Sequence, residues 1–587
     1  MKKESMKKEG KKSNEANFEA FWHSTSHVLA DAVKKLRPNA KLAIGPSIEQ
    51  GFYYDFDTEP FTQEDIENIE QEMSKIIKQD LEFRRIFLKR KEAEKLLASE
   101  PYKLELLKEI KGDKISFYQH GSFIDLCAGL HIKRTSQIKA FKLLNTAGAY
   151  WRGDASKPML QRIYGISFPS SEQLKEFLIK KEEAEKRDHV KLGKELNLFA
   201  IYPAIGSGLP IWTPKGAMIR SIIEEFWIKE HRKKGYQQVY TPHIGKLTLW
   251  KTSGHWEFYK DYLYPPMKLE NEDFLIKPMN CPFHVHIYKS EQRSYKELPI
   301  KYCELGTVYR KELSGALHGL TRVRGFTQDD AHVICTPEQL EEEIEKLIDI
   351  VFFFLKIFGF KDFKADLSVR DPKNKAKYLG PDKMWNLAEK TLEKALKSKK
   401  LKYRRAEGEA VFYGPKIDIK LFDSLGREHQ CSTIQIDFNL PEKFNLEYVG
   451  EDNSKHRAVM IHRAMLGSLE RFFGILIEHY AGAFPLWLSP IQVKLLTLTD
   501  DNIKYAKKIE QQLKEAEIRV ETDFSPATIQ SKIRNAQLEK VPFTIVIGEK
   551  EEKAGTLAIR TRDNKVKYGI KTEDFLKQIK KEIGEKK

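Results

Sequence analysis

Between Gly235 and Pro485, short runs of β-branched and aromatic residues alternate with turn residues, and helix-period stretches are few. A parallel sheet would need a helical stretch between successive strands, and this segment lacks that regular alternation. The pattern therefore predicts a large, mostly antiparallel sheet. At 587 residues the chain is also too long for a single hydrophobic core. We predict a multidomain α+β protein with this sheet at its centre.

Composition shifts divide the chain into five segments. Residues 1–16 are Lys-rich and predict a flexible tail, whereas residues 17–169 mix helix-period and strand-like stretches and predict an α+β domain. Residues 170–190 are charged and lack proline and glycine, as expected of a linker helix. The sheet domain takes residues 191–485. In residues 486–587 strand-like and helical runs alternate, which predicts an α/β domain with parallel strands.

The composition excludes several classes of protein. No apolar run approaches the ~20 residues that a membrane-spanning helix needs, and no apolar stretch follows the Lys-rich start to make it a secretory signal. Five cysteines are too few for a disulfide framework and favour a reducing cytoplasm. The net charge of +16 favours a phosphate-rich partner without identifying it. We therefore expect a cytoplasmic protein without membrane association.

The densest cluster of polar residues lies between Tyr302 and Ile334. Alternation along this segment predicts a strand that presents Arg310 and Glu312 on one face. A turn would then return the chain and bring Arg322 and Arg324 close to Arg310. Converging arginines suit bidentate phosphate binding. A salt-bridged hairpin without any ligand is the alternative, and it is the commoner arrangement for such a segment on its own.

A further arginine lies in a strand-to-helix segment later in the chain. From Val459 to Gly482 the residues are mostly apolar, and Arg471 interrupts the apolar face of the helix. This position predicts a buried guanidinium, which needs an anionic partner. A nucleotide phosphate and an internal carboxylate are both suitable, and the residues alone do not choose between them.

Two pairs of possible metal ligands stand at four-residue spacing near the start of the chain. His23 and His27 lie in a helix-period stretch, where this spacing places both side chains on one face. Cys127 and His131 repeat the separation about a hundred residues later. By spacing alone, the four residues predict a closed zinc site with three nitrogen ligands and one sulfur ligand.

These segments resemble the three signature motifs of class II aminoacyl-tRNA synthetases. The helix and strand ending at Pro242 resemble motif 1, which forms the dimer, while the segments containing YRKE and GSLERFFG resemble motifs 2 and 3. The sequence is most similar to the bacterial threonyl-tRNA synthetase family. The segments that carry this similarity are KPMNCP, LHGLTRVRGFTQDDAHVIC, FYGPKIDI, YVGEDN and MIHRAMLGSLERFFGILIEHYAG. The resemblance runs from about residue 20 to the C-terminus. It implies an antiparallel-sheet catalytic core, an N-terminal editing domain and a C-terminal anticodon-binding domain, without the family's usual N-terminal ubiquitin-like (TGS) domain.

The resemblance implies one catalytic zinc ion per subunit. Its ligands would be Cys281, His332 and His462, which come from three distant segments that no local spacing pattern connects. Three protein ligands leave a zinc ion open to substrate. Threonine can offer both its amino group and its hydroxyl, whereas valine has no hydroxyl to offer.

The resemblance also implies a site for threonine and ATP, with magnesium bridging the ATP phosphates. Arg310 would hold the α-phosphate and the threonine carboxylate, Arg471 would face the γ-phosphate, and Phe326 would stack on adenine. His255 matches the residue that helps deprotonate the terminal ribose of the tRNA. The other positions that would bind or orient the substrates are Glu312, Arg322, Gln328, Asp330, Tyr413, Lys416, Gln430 and Gln435.

In this family the N-terminal pairs belong to an editing domain that hydrolyses seryl-tRNA(Thr). Zinc cannot exclude serine, which also has an amino group and a hydroxyl, so a second site is required. The family site acts without a resident metal, and the resemblance therefore favours a metal-free site over the zinc site that spacing predicts. The editing residues implied here are His23, His27, Cys127 and His131, with Asp125 and Tyr54 assisting.

Several positions depart from the family pattern. Ala128 and Leu130 replace an arginine and a proline, which is expected to weaken or alter editing. Phe283 and Ser432 stand where glycine is usual and are expected to reshape the walls of the catalytic pocket. In the C-terminal domain Glu551 and Arg560 match anticodon contacts, whereas the expected polar residue and glycine are replaced by Pro526 and Gln530.

Taken together, these features predict a homodimeric enzyme that acts on L-threonine, ATP and tRNA(Thr). Its two subunits would be joined through the motif 1 region. A prolyl or seryl relative would lack the residues that match the zinc ligands. A non-catalytic RNA-binding paralogue would typically lose Arg310 or Arg471, and both are present. A free-standing zinc hydrolase centred on His23 would not need roughly four hundred further residues.

Overall fold

The computed structural model describes residues 2–48, 50–154 and 156–586. It divides into two compact units, residues 1–182 and 183–587. The division falls within residues 170–190, where a linker helix is predicted and a helix is found at Ser171–Arg187. None of the described helices is both long enough and apolar enough to cross a membrane.

The first unit combines helices with two separate sheets. Residues 2–16, for which the sequence predicts a flexible tail, belong instead to its first helix, and Met1 lies outside the described residues. The helices are α1 (Lys2–Leu36), α2 (Gln63–Lys78), α3 (Arg90–Leu96) and α4 (Pro101–Glu109), and α5 (Ser171–Arg187) spans the division between the two units. The strands are β1 (Lys41–Leu42), β2 (Ser47–Ile48), β3 (Gly51–Asp57), β4 (Arg84–Lys89), β5 (Lys114–His120), β6 (Phe123–Leu126), β7 (Ala140–Tyr150) and β8 (Met159–Phe168).

The apolar face of α1 forms the main core of this unit. Val28 and Leu29 of α1 pack with Phe52 and Phe56 of β3, and all four are buried. Strand β3 belongs to an antiparallel sheet of order β1-β3-β8-β7, with β2 paired to β3. Strands β4, β5 and β6 form a second antiparallel sheet. The predicted α+β character of this region is confirmed.

The second unit contains the large sheet that the sequence predicts. Its elements up to Tyr480 are the helices α6 (His189–Glu195), α7 (Pro214–Lys233), α8 (Leu247–Thr252), α9 (His255–Tyr259), α10 (Cys281–Lys289), α11 (Leu340–Ile357), α12 (Asp382–Ser398), α13 (Asn439–Lys443) and α14 (Leu469–Tyr480). The strands are β9 (Phe199–Ala200), β10 (Ile211–Trp212), β11 (Gln237–Gln238), β12 (Ile244–Lys246), β13 (Met267–Leu269), β14 (Glu272–Ile276), β15 (Arg293–Ser294), β16 (Ile300–Tyr309), β17 (Gly325–Cys335), β18 (Phe363–Val369), β19 (Tyr403–Glu407), β20 (Lys416–Phe422), β21 (Glu428–Asp437), β22 (Glu447–Val449), β23 (Lys455–Arg457) and β24 (Val459–Ser468).

Eight of these strands form one sheet of order β11-β16-β17-β24-β21-β20-β18-β19. All pairs are antiparallel except the two at the edges, β11 with β16 and β18 with β19. The mostly antiparallel prediction is confirmed. Helix α7, which the sequence predicts, packs Ile219 and Trp227 into the core beneath the sheet. Gly235, at φ +80°, follows its last turn as expected of a helix end.

The C-terminal region contains a smaller sheet. Its strands are β25 (Val493–Thr497), β26 (Val520–Asp523), β27 (Phe543–Ile547), β28 (Leu557–Thr561) and β29 (Val566–Ile570), and its helices are α15 (Ile503–Glu515), α16 (Ile529–Leu538), α17 (Glu549–Ala554) and α18 (Thr572–Gly584). The order is β26-β25-β27-β28-β29, and only the first three strands run parallel. Strand β28 is antiparallel both to β27, to which α17 connects it, and to β29, to which a tight turn connects it. The all-parallel prediction is corrected for this half of the sheet.

Candidate active site

One face of the eight-stranded sheet opens into a cavity of about 1140 Å³. That volume is ample for a nucleotide and a small second substrate. Strands β17, β24 and β21 lie side by side beneath it, and their register places His332 opposite His462 and His462 opposite Gln435. The predicted site residues that line the cavity are Cys281, Arg310, Glu312, Arg322, Phe326, Gln328, Asp330, Tyr413, Lys416, Gln430, Gln435, His462 and Arg471.

Cys281, His332 and His462 come together as a possible metal site. All three are buried, and their ligand atoms lie within 4.8 Å of one another. Nε2 of His332 is 2.9 Å from Nδ1 of His462. Burial raises the pKa of the Cys281 thiol, although His462 partly offsets the effect. A cation would stabilise a thiolate at this position, so one sulfur and two nitrogens fit a zinc ion in chemistry as well as spacing.

Neighbouring side chains fix the orientation of both histidine rings. Nε2 of His462 lies 2.8 Å from Oδ2 of Asp437. Burial opposes charge on His462, but its hydrogen bonds to Asp437 and Cys281 raise its pKa to about 10. With Nε2 held by the carboxylate, Nδ1 is the nitrogen left for a metal. Sequence reasoning missed Asp437, because nothing in the sequence reveals the register of β21 against β24.

A chain of hydrogen bonds runs from His332 through His284 to Glu304. Nδ1 of His332 is 2.7 Å from Nδ1 of His284, and Nε2 of His284 is 3.0 Å from Oε2 of Glu304. Because Glu304 can only accept when ionised, His284 donates to it and accepts from His332, which leaves Nε2 of His332 as an open lone pair. Sequence reasoning also missed this chain. The only local signal was His284 at three residues after Cys281, on the same helix face.

The Arg310 side chain lies at the cavity wall. Strand β16 ends at Tyr309, so the predicted strand through Arg310 and Glu312 is wrong. The ladder stops because Lys311 donates its N–H to the Tyr262 carbonyl at 2.8 Å. Burial lowers the pKa of the Arg310 guanidinium, its Nε has no hydrogen-bond partner, and no carboxylate among the described residues lies within ion-pair distance.

The contacts around Arg310 distinguish a phosphate-binding cluster of arginines from a salt-bridged hairpin. Cζ of Arg310 lies 5.0 Å from the centre of the Phe326 ring. Arg322 instead pairs with Glu312 at 3.0 Å, and Arg324 donates to the Glu312 carbonyl at 3.0 Å. The salt-bridged alternative therefore describes Arg322, whereas Arg310 is left as a partly buried cation facing the cavity.

Arg471 occupies the first turn of α14, at the cavity mouth. Ser468 caps this helix by accepting the N–H of Arg471 at 3.0 Å. The prediction that Arg471 is buried is wrong, because its side chain is exposed. The described residues provide no carboxylate for its guanidinium, so no internal ion pair competes for it. Its place at a helix N-terminus that opens onto the cavity suits a phosphate group.

The turn before α14 is held by a buried carboxylate. Asp329 accepts the backbone N–H groups of Met465, Leu466 and Gly467 at 2.8–3.0 Å. It also accepts from the indole of Trp227 on α7 at 3.2 Å. Burial raises the pKa of Asp329 to about 6, although Arg463 at 3.7 Å acts in the opposite direction. This carboxylate therefore joins α7, β17 and the approach to Arg471.

The far wall of the cavity is organised around Asp418. Lys416 pairs with this carboxylate, and Gln430 donates to it at 2.9 Å. Burial raises the pKa values of Tyr413 and Asp330, which are close to the possible metal ligands. Asp418 was missed by sequence reasoning, because its role depends on the pairing of β20 with β21.

His255 lies behind Tyr413, with the two ring centres 6.1 Å apart. Its Nδ1 is 2.6 Å from the Ser253 hydroxyl, while Nε2 has no partner among the described residues. Burial lowers the pKa of His255 to about 3, so the imidazole is neutral. Phe283 and Ser432 are not among the described residues of the cavity wall; Phe283 packs on Trp250 instead, and Ser432 donates to the Met465 carbonyl.

The first unit holds a separate cavity of about 540 Å³. His23 and His27 reach it from α1, as their spacing predicts, and meet Cys127 and His131 from the loop after β6. Sγ of Cys127 is 3.5 Å from Nε2 of His23 and 3.3 Å from Nε2 of His131. Burial lowers the pKa values of all three histidines and raises that of Cys127 to about 11, which leaves the cluster uncharged.

A buried carboxylate sits beside this cluster. Asp125 accepts from the Tyr54 hydroxyl at 2.7 Å, pairs with Lys103 at 2.7 Å and lies 3.4 Å from Nδ1 of His27. Lys103 was missed because it comes from α4, far from any recognised motif. Ala128 and Leu130 lie at the cavity rim.

The predicted anticodon residues lie apart from both cavities. The carboxylate of Glu551 accepts the Gly548 N–H at 3.1 Å and caps α17. Arg560 lies on β28, partly buried, with an unpartnered Nε. Pro526 and Gln530 are exposed at and just before the start of α16.

Comparisons with known proteins cover nearly the whole chain. The tRNA synthetase class II core domain (G, H, P, S and T) matches residues 265–480, an anticodon binding domain matches residues 492–582, and the threonyl and alanyl tRNA synthetase second additional domain matches residues 115–164. A threonine–tRNA ligase of Sulfurihydrogenibium is 51% identical over 98% of this chain and 90% of its own length. One from Caldanaerobacter subterraneus is 52% identical over 98% and 88%.

A solved structure gives the same picture for part of the chain. The RNA binding domain of threonyl-tRNA synthetase from Cryptosporidium parvum has a TM-score of 0.64 and 39% identity, covering 67% of this chain and 98% of that structure.

Proposed function

The chain belongs to the threonine–tRNA ligase (threonyl-tRNA synthetase) family, and we propose that it activates L-threonine with ATP and transfers the threonyl group to tRNA(Thr). The observation that carries this proposal at the site is the meeting of Cys281, His332 and His462 near a partly buried Arg310 that has no carboxylate partner among the described residues. Such a site can select a hydroxyl amino acid and stabilise a phosphate in the same place.

The first step is attack of the threonine carboxylate on the α-phosphorus of ATP, with pyrophosphate leaving and Mg²⁺ accompanying the nucleotide. Arg310 binds the α-phosphate and offsets the charge that develops on its oxygens, where burial strengthens the interaction. Arg471 contacts the γ-phosphate at the cavity mouth, and Phe326 stacks on adenine. Because these groups are held in place before substrate arrives, positioning supplies much of the rate.

The threonine side of the cavity is where we place one zinc ion per subunit, on Cys281, His332 and His462. When bound, the ion supplies a Lewis-acid centre for the amino group and hydroxyl of threonine. Asp437 and the chain through His284 to Glu304 orient the two imidazoles toward it. Gln328, Asp330 and Tyr413 orient the amino acid. The further assigned positions are Glu312, Arg322, Lys416, Gln430 and Gln435, with His255 acting in transfer to the tRNA.

Amino acid selection tests this function directly. ATP–pyrophosphate exchange should be active with threonine, weaker with serine, and lower by about 10⁴-fold with valine, because a site built for a hydroxyl is left unsatisfied without one. Chelation of zinc should remove the activity, and added zinc should restore it. Exchange with proline in place of threonine, or no exchange with any of the three amino acids, would contradict the proposal.

We assign a second activity, hydrolysis of seryl-tRNA(Thr), to the cavity of the first unit. Serine satisfies the same zinc contacts as threonine, so a later check is needed. His23, His27, Cys127 and His131 would position water and the serine ester, with Tyr54 and Asp125 holding the arrangement. The resemblance to the family, whose editing site acts without a resident metal, supports a metal-free site. One zinc ion per chain by elemental analysis fits this assignment, and two would contradict it.

His23→Ala is expected to slow deacylation of preformed seryl-tRNA(Thr) by about 10²-fold or more, because it removes a group positioned for proton transfer. The rate is measured as loss of labelled serine from the tRNA. Threonine-dependent exchange by the same variant serves as control and should be unchanged, since that reaction occurs in the second unit. Equal deacylation by variant and parent would end the editing assignment.

The remaining assignments concern organisation and partners. We assign residues 17–169 to editing, 170–190 to a linker, 191–485 to catalysis and 486–587 to anticodon binding, with Glu551 and Arg560 as base contacts. A homodimer through the motif 1 region is supported by apolar side chains left exposed after β11, where Tyr240 is 79% exposed and Ile244 47%. We place the reaction in the cytoplasm, where tRNA is charged.

A further inference from the structure

The sheet of β4, β5 and β6 has one face that passes from the editing cavity to open surface. Side chains at alternate positions share a face. In this sheet Asp125 lies opposite Tyr118, and Tyr118 lies opposite Arg85 on the edge strand. Asp125 and Tyr118 are buried, with the Tyr118 ring centre 4.1 Å from that of His131, whereas Arg85 is exposed. The row therefore connects the cavity directly to the sheet edge.

The neighbouring row shows the same change from covered to open. Cys127 donates its N–H to the Ser116 carbonyl at 3.3 Å, and Ser116 pairs with Phe87. Phe87 is 46% exposed, which is unusual for a phenylalanine at the edge of a sheet. Two strand spacings, about 10 Å, separate Cys127 from Phe87. Beyond this row, Lys89 pairs with Lys114, and both side chains are exposed.

Four residues thus form an open patch, which we call the basic strip: Arg85, Phe87, Lys89 and Lys114. The Arg85 guanidinium lies 5.0 Å from the Phe87 ring centre, and the Lys114 ammonium lies 4.4 Å from it. Among the described residues, none of the three cations has a carboxylate within ion-pair distance. Arg84 differs: it points to the opposite face and pairs with Glu82 at 2.8 Å.

We propose that the basic strip binds the unpaired 3′ strand of the tRNA beside its terminal nucleotide, stacking one base on Phe87 and holding phosphates with Arg85, Lys89 and Lys114. Single strands are bound elsewhere by this combination of an aromatic platform and a positively charged track. A duplex could use the cations but not the ring, because its bases are already stacked. The inference rests on the proposed editing function, since it concerns how the same substrate reaches the same cavity.

Two substrates of different length test the strip. Arg85→Gln and Phe87→Leu should each raise KM for seryl-tRNA(Thr) deacylation by about tenfold, because stacking and phosphate contacts are lost. Hydrolysis of seryl-adenosine, which has only the terminal nucleoside, should be unchanged in both variants. Arg84→Gln is the matched control, since it removes the same charge from the adjacent residue, whose side chain lies on the opposite face of the sheet. The log–log slope of binding against salt should weaken by about 0.7 for Arg85→Gln, which loses a phosphate contact, and should be unchanged for Phe87→Leu.

The outcomes separate the strip from the editing assignment. If the parent enzyme deacylates seryl-tRNA(Thr) and both variants keep its KM, the strip is overturned while editing stands. An equal effect of Arg84→Gln would overturn it as well, because general surface charge would then suffice. Loss with both substrates would indicate a damaged cavity; Lys114→Gln, which changes only an exposed side chain, must then show the selective loss or the strip is rejected. A parent that leaves seryl-tRNA(Thr) intact overturns both proposals.

Discussion

Cys281→Ala is expected to lower threonine-dependent ATP–pyrophosphate exchange by roughly 10³-fold or more and to leave the purified chain without zinc. Only two imidazoles would remain at the site, and a structural or catalytic zinc ion needs at least three protein ligands. The lost Lewis-acid contact is worth several kcal/mol of stabilisation. Elemental analysis and exchange kinetics on the same preparation measure both effects, so metal loss and activity loss can be compared directly.

Cys335→Ala is the matched control for this experiment. Cys335 is also a buried thiol and lies on β17 three residues from His332, but it pairs with Val459 and belongs to a different hydrophobic cluster from Cys281. This variant should keep its zinc and most of its activity. Substantial exchange by Cys281→Ala, or active parent enzyme without any bound zinc, would remove the basis for the metal assignment.

Arg310→Gln is expected to lower kcat for threonine activation by about 10²–10³-fold while the zinc content stays at the parent level. The guanidinium is partly buried, its Nε has no hydrogen-bond partner, and no carboxylate among the described residues pairs with it, so its charge is available to a phosphate; a single preorganised donor of this kind has an effect of that size. Initial rates over a range of ATP and threonine concentrations separate the effect on kcat from that on KM. Retained zinc distinguishes this loss from that of Cys281→Ala.

Lys311→Gln controls for the Arg310 substitution. It removes one positive charge from the adjacent residue, whose side chain is exposed and whose backbone N–H is held by the Tyr262 carbonyl. Exchange should be close to that of the parent. If Lys311→Gln and Arg310→Gln reduce kcat equally, the field of the loop as a whole, and not a specific contact from Arg310, would account for phosphate stabilisation.

The residue pattern predicted much of the architecture. Short strands without intervening helices predicted the antiparallel sheet, and the spacing of His23 and His27 predicted that they share a helix face. Both predictions succeeded because both signals are local. It failed where structure depends on distant partners. The strand through Arg310 ended early because Tyr262 captures the next backbone N–H, and Arg471 lies exposed because α14 begins at the cavity mouth.

The site itself depended on the family resemblance. Cys281, His332 and His462 come from α10, β17 and β24, and only strand order brings them together. The supporting residues His284, Asp437 and Lys103 were beyond both kinds of reasoning, since each acts through register or tertiary packing. Local spacing also pointed to a zinc site at His23, although the same four residues serve equally well as a hydrogen-bonded cluster.

Asp329 connects α7, the helix of the proposed dimer interface, to the candidate active site. Its carboxylate ties Trp227 on α7 to the turn that carries Arg471, and Arg463, which lies next to the proposed zinc ligand His462, donates to His231 of α7 at 2.6 Å. A subunit whose α7 shifts when it loses its partner would therefore misplace the phosphate-binding arginine and the metal ligand together. Separation of the subunits should then lower the catalytic rate, even though no side chain of one cavity need come from the other subunit.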